Sequence, residues 1–85
     1  MKNWMLICCF ARDITTPQFF ETKDEAVEAM CEEVADYIGF TTDEIMSIRL
    51  DDGKVDEYTH VDDDYAWSDK DYDCNWRIFN IEGRR

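Results

Sequence analysis

The chain has 85 residues and carries 21 acidic against 9 basic side chains, a formal net charge of −12. Solubility asks a charge of only about 2–8 from a small domain, so the excess repels nucleic acid, anionic lipid and phosphorylated ligands and draws the protein towards cationic surfaces. With 45% hydrophobic and 14% aromatic residues, the composition excludes a disordered polyacid. Residues 1–85 are expected to fold as one domain with a compact core.

Residues 2–11, KNWMLICCFA, are apolar on both period-two faces, with Trp4, Leu6, Cys8 and Phe10 on one and Met5, Ile7 and Cys9 on the other. That is the pattern of a buried strand, central in its sheet. The run stops at Arg12-Asp13 without the small-residue cleavage pattern of a signal peptide, and no segment reaches the roughly 20 apolar residues of a membrane helix. Pro17 holds Thr16 extended, so residues 16–20 read as a loop or a short edge strand.

Thr22-Lys-Asp-Glu25 is a capping box, in which Thr22 accepts from the Glu25 amide and Glu25 reaches back to the Thr22 amide. It opens a helix that runs to Ile38 and stops at Gly39. Val27, Met30, Cys31, Val34 and Ile38 recur at three- and four-residue spacing as its buried stripe, flanked by Ala26 and Ala35. A second start lies at Thr41-Thr42-Asp43-Glu44; the IMSIRL that follows fits a short helix or a strand. Asp51-Asp52-Gly53 is a turn. Strands are expected over residues 57–61 and 65–68, on either side of Asp62-Asp63-Asp64, then a polar loop over 69–74 and a last strand over 75–82. The order fits an α+β fold: an antiparallel sheet of three or four strands, the first and last side by side, with one long helix and room for a short second one on one face.

Between Glu21 and Asp73 stand nineteen acidic and four basic residues, a net −15. On the first helix Glu25, Glu28, Glu32 and Asp36 fall three and four apart, on a face away from the apolar stripe. Each such like-charge pair costs about 0.2–0.5 kcal/mol, and no lysine intervenes. A solvated helix face alone would explain glutamates there. A second concentration, with Asp51, Asp52, Asp56, Glu57, Asp62, Asp63 and Asp64 and then Asp69, Asp71 and Asp73, argues for a purpose. Adaptation to high salt would give the same bias, but the aromatic content and four cysteines do not fit it. Duplex DNA presents a phosphate about every 3.4 Å along each strand, and carboxylates about 6 Å apart on a helix approach that density. Tyr58 and Tyr72 among the acids suit an interface in which a partner arginine pairs with a carboxylate and lies over a ring. Trp67 and Trp76 are expected to face each other across neighbouring strands in the core.

Little else carries chemistry. Cys8, Cys9, Cys31 and Cys74 include no Cys-x-x-Cys pair, and lone His60 completes no zinc spacing; they read as reduced cytosolic thiols. Asp69-x-Asp71-x-Asp73-x-Asn75 resembles the start of a calcium loop but lacks its glycine and final glutamate. Asp62-Asp63-Asp64 offers at most a weak divalent site. His60 near Glu57 and Asp62 has no nucleophile motif beside it, and Gly39, Gly53 and Gly83 are too isolated to cradle phosphate. No enzymatic activity, cofactor or specific metal site is expected.

The opening apolar strand, TPQFFETKDEAVEAM and DDYAWSDKDYDCNWRIFNIE together resemble small acidic proteins carried by prophages and mobile elements of gut Firmicutes, a group without a catalytic signature. Size and acidity also resemble anti-CRISPR and other anti-defence proteins, which share no sequence motif to transfer. These resemblances imply a phage or mobile-element inhibitor in a bacterial cytoplasm that occupies the basic, nucleic-acid-binding surface of a host nuclease, a CRISPR effector first. The acids named above, with Tyr58 and Tyr72, would contact that partner. The alternatives are an interaction module that dimerises through apolar faces, the first strand being apolar on both sides, and a module linked to calcium.

Overall fold

The computed structural model describes residues 2–10, 13–69 and 73–81. Its elements in chain order are β1 (Trp4–Phe10), β2 (Asp13–Ile14), β3 (Gln18–Phe20), α1 (Lys23–Ile38), α2 (Thr42–Leu50), β4 (Lys54–Asp56), β5 (Thr59–Val61), β6 (Tyr65–Ser68) and β7 (Cys74–Asn80). All strands join one antiparallel sheet in the order β2-β1-β7-β6-β5-β4, and β3 shares the β2 edge of β1. The α+β class holds. The sheet has seven strands rather than three or four, because β2, β3 and β4 are edge pieces of two or three residues, too short for any periodicity to register.

Hydrophobic strands β1 and β7 pair along their full length, Leu6 opposite Ile78 and Cys8 opposite Trp76. The alternation of strand side chains then puts Leu6, Cys8, Trp76 and Ile78 on one face, and α1 lies over it with Met30, Cys31 and Val34 fully buried. Each such side chain contributes about 1.5–3 kcal/mol when taken from water. Both caps form: Glu25 and Glu44 amides donate to Thr22 and Thr41 hydroxyls at 3.2 Å, and each glutamate accepts from the cap amide in return. IMSIRL is therefore helical, the second capping box outweighing its β-branched residues. Gly39 ends α1 in the left-handed region, φ 82°, its amide bonded to Ala35 O.

Trp67 and Trp76 do not face each other. Ala66 is the residue opposite Trp76, and Trp67 pairs with Asn75, so the indoles point to opposite sides of the sheet. Trp76 is buried against Phe10 and Tyr37, with centroids at 5.5 and 6.0 Å, while Trp67 is 38% exposed. One residue of register separates the two arrangements, and composition does not fix register. The same alternation corrects β1: it is central, but only Leu6 and Cys8 are buried, and Met5, Ile7 and Cys9 look out from a face that carries no helix. The Cα atoms span 38 × 28 × 17 Å; the thin dimension is one helix layer on one sheet.

Candidate functional site

The fold gathers part of the expected acidic surface and divides the rest. On α1, Glu25, Glu28, Glu32 and Asp36 are all exposed, in a line opposite Val27, Met30 and Val34 that runs most of the helix. Two open hollows flank the line. One is lined by Phe20, Glu25, Glu28, Ala29 and Glu32, the other by Glu32, Glu33, Asp36, Phe40 and the Thr41-Thr42 corner. Glu32 stands where they meet.

The loop acids separate by strand direction. Thr59 pairs with Ser68, and Ser68 with Cys74, so Asp56, Glu57, Asp69 and Asp73 lie at one end of the sheet; Asp51, Asp52, Asp62, Asp63 and Asp64 lie at the other. Tyr58, 50% exposed, sits at the first end, where its carbonyl accepts from the Asp69 amide at 2.9 Å. Asp71 and Tyr72 lie outside the described residues, and with them part of the calcium-like run. Among the described residues no group of three or more His, Cys, Asp or Glu is placed to hold a metal ion.

Several loop aspartates serve local structure. Asp52, Asp56 and Asp62 accept from the amides of Lys54, Tyr58 and Asp63 at 3.0, 2.8 and 2.7 Å, the usual device by which aspartate closes a turn. Asp63 pairs with the Arg49 guanidinium at 2.5 Å and ties the end of α2 to the β5–β6 turn. Turn chemistry and the Arg49 pair thus account for four loop acids, and the capping box accounts for Glu25, whereas no contact in the fold uses Glu28, Glu32 or Asp36.

Cys8 and Cys31 are poor nucleophiles. Burial, then a hydrogen bond to Glu33, pushes Cys8 far above the usual thiol range; its S–H donates to Glu33 Oε1 at 2.9 Å while Gln18 donates to Oε2 at 2.7 Å. Burial pushes the Cys31 thiol up to about 11, only partly offset by Arg49 beside it. Both therefore stay protonated at neutral pH, the opposite of an activated cysteine. Ser68 is buried and bonded to Thr59 at 2.9 Å. His60 turns away from any such pair and stacks on Trp67, centroids 6.1 Å apart at 20°.

Sequence reasoning read the first strand as apolar on both sides but did not foresee what stands beside it on the far side of the sheet. There β1 and its edge partners present Met5, Ile7, Phe19 and Ile14, the last two 47% and 71% exposed. Next to them His60, Trp67, Tyr65 and Arg77 form a ladder, Arg77 lying over the Tyr65 ring at 5.6 Å. Strands β1, β5, β6 and β7 contain no acidic residue at all. The signal was available in the doubly apolar first strand, but two faces buried and one face left open give the same pattern. The molecule is polarised, with carboxylates on the helix layer and sheet ends and an apolar, aromatic sheet face behind.

Among the described residues no helix is long and apolar enough to cross a membrane. No family model matches the chain, and no curated protein or solved structure is significantly similar to it.

Proposed function

We propose that this is a non-enzymatic binding protein that lays the acidic side of α1 on a basic protein surface, of the kind that otherwise holds a nucleic-acid backbone. The observation that carries the reading is the uninterrupted line Glu25, Glu28, Glu32, Asp36. Four exposed carboxylates share one helix side with no cation among them, at steps of about 4.5–6 Å. The acids at the sheet ends add long-range attraction rather than contacts, since a net −12 steers cationic partners from a distance. Its resemblance to anti-defence proteins makes the partner a host nuclease, a CRISPR effector first, met in a bacterial cytosol. The protein would act by occupying the groove that DNA needs.

The test is displacement of a labelled DNA duplex from a purified, guide-loaded CRISPR effector nuclease, followed by fluorescence anisotropy. Displacement should be lost when Glu28, Glu32 and Asp36 are changed together to lysine. It should also weaken as salt rises, because screening shortens to about 8 Å at physiological ionic strength. No displacement, or displacement indifferent to both the reversal and salt, overturns the reading.

A further inference from the structure

We infer that the bare face of the sheet is a dimerisation face, covered by the same face of a second copy with the two acidic helix layers turned outward. This inference is independent of what α1 binds.

Size comes first. The strands are two to seven residues long, and at about 3.3 Å per residue and 4.8 Å between strands they give a face of roughly 450 Å². Pairing two such faces removes roughly 900 Å² in total, the size of a weak, reversible interface. An uncovered patch of this size on a monomer is often functional. Among the described residues the thickness of 17 Å leaves no third layer to cover it.

Charge decides the occupant. A sheet face with Ile7, Phe19 and Trp67 beside Arg77 gives a nucleic acid little to hold, and the molecule's −12 repels one. Two copies meet little such barrier over the centre of this side, because β1, β5, β6 and β7 carry no acid; the acids nearest to it, Asp52, Asp56 and Glu57, sit at the β4 edge around His60 and Trp67. Sheets pack about 10 Å apart, so the two helix layers would stand roughly 30 Å from each other, several screening lengths at physiological salt. The face is also complementary to itself. Full overlap about a two-fold axis parallel to the strands sets β7 over β6 of the other copy, so each Arg77 meets the rings of Tyr65 and Trp67 across the contact. A guanidinium over an aromatic face is attractive, and Arg77 already sits so against its own Tyr65. Aligned packing of two twisted sheets at about −30° is the ordinary geometry of a β-sandwich.

Sedimentation equilibrium over about 1–300 µM protein, the range in which interfaces of this size assemble, tests the inference. The mass should rise from 10.2 kDa to twice that value, and the midpoint should move to lower concentration as salt is added, opposite to the salt dependence expected of α1 binding. Trp67→Lys, which sets a lysine against Arg77 of the other copy, should hold the chain at the monomer mass. Ile7→Lys should do the same, and circular dichroism must show both folded. The Glu28/Glu32/Asp36 reversal should leave the dimer intact. A chain that stays monomeric throughout assigns the face to another occupant and overturns the inference, as does a dimer indifferent to Trp67→Lys and Ile7→Lys or one lost with the α1 reversal.

Discussion

If the α1 acids are kept for binding, relieving them should stabilise the protein. Glu25–Glu28, Glu28–Glu32 and Glu32–Asp36 are three like-charge pairs on the solvent-exposed side of the 16-residue α1, together costing about 0.6–1.5 kcal/mol. Glu32 belongs to two of them. Glu32→Gln removes two repulsions, a gain of about 0.4–1 kcal/mol; Glu32→Lys also creates two attractions and should gain about 0.8–2 kcal/mol. For a domain of this size that is a rise in Tm of roughly 4–10 °C. Thermal unfolding followed by circular dichroism in low salt measures it, and about 0.5 M salt should erase more than half of the lysine gain because the Debye length falls towards 4 Å. The order Glu < Gln < Lys at position 32 is the signature sought. A lysine variant that melts at or below the unaltered chain in low salt refutes the idea that the line is held against a stability cost.

Two further outcomes follow from the core and the turns. The raised thiols set an alkaline limit: Cys31 goes from the usual 9.0 up to about 11 and Cys8 is raised further, so above pH 9 the unfolded chain releases protons that the folded one retains. Stability should be level below pH 9 and fall as pH climbs through about 11, and urea midpoints of Cys31→Ala should fall less over the same window; equal slopes would show that the thiol burial is not felt. Gly39 and Gly53 both hold positive φ, 82° and 76°, yet a Cβ on Gly39 meets nothing within 4 Å whereas one on Gly53 would stand 2.3 Å from Val61 O. Gly39→Ala should cost about 1–2 kcal/mol and Gly53→Ala clearly more, because the turn that bonds Gly53 to Ile48 and Val61 must move; equal urea midpoints would contradict the packing.

What the sequence disclosed and what it hid differ by range. Capping boxes are local, and Thr22/Glu25 and Thr41/Glu44 place both helix starts. The side-by-side position of β1 and β7 was also legible, since they are the two longest apolar runs and each needs a covered neighbour. Register was not. Whether Ala66 or Trp67 stands opposite Trp76 depends on the length of the turn before β7, and a one-residue difference moved Trp67 from the core to the open face. The ties that lock α1 and α2, Cys8–Glu33–Gln18 and Cys31–Arg49–Asp63, join residues far apart in the chain, and no spacing rule foresees them. Charge counting was sound in sum and misleading in place, because it treated as one surface acids that strand direction sends to opposite ends of the sheet.

That division changes what mimicry of a phosphate backbone can mean here. Asp52, Asp56, Asp62 and Asp63 would persist in a protein that binds nothing, since a turn or Arg49 uses each of them. Glu25 closes the α1 capping box, but Glu28, Glu32 and Asp36 have no such employment. Glu33, one step round the same helix, is committed to Cys8 and Gln18, which marks the contrast between an acid that builds the fold and its neighbours that only face water. Losing the loop acids should therefore weaken long-range attraction and slow association, while losing Glu28, Glu32 or Asp36 should shorten the life of the complex, because remote charge acts on encounter and contact charge on release. A partner whose release rate responds to Asp64→Asn as strongly as to Glu32→Gln would place the contact at the sheet end instead of on the helix.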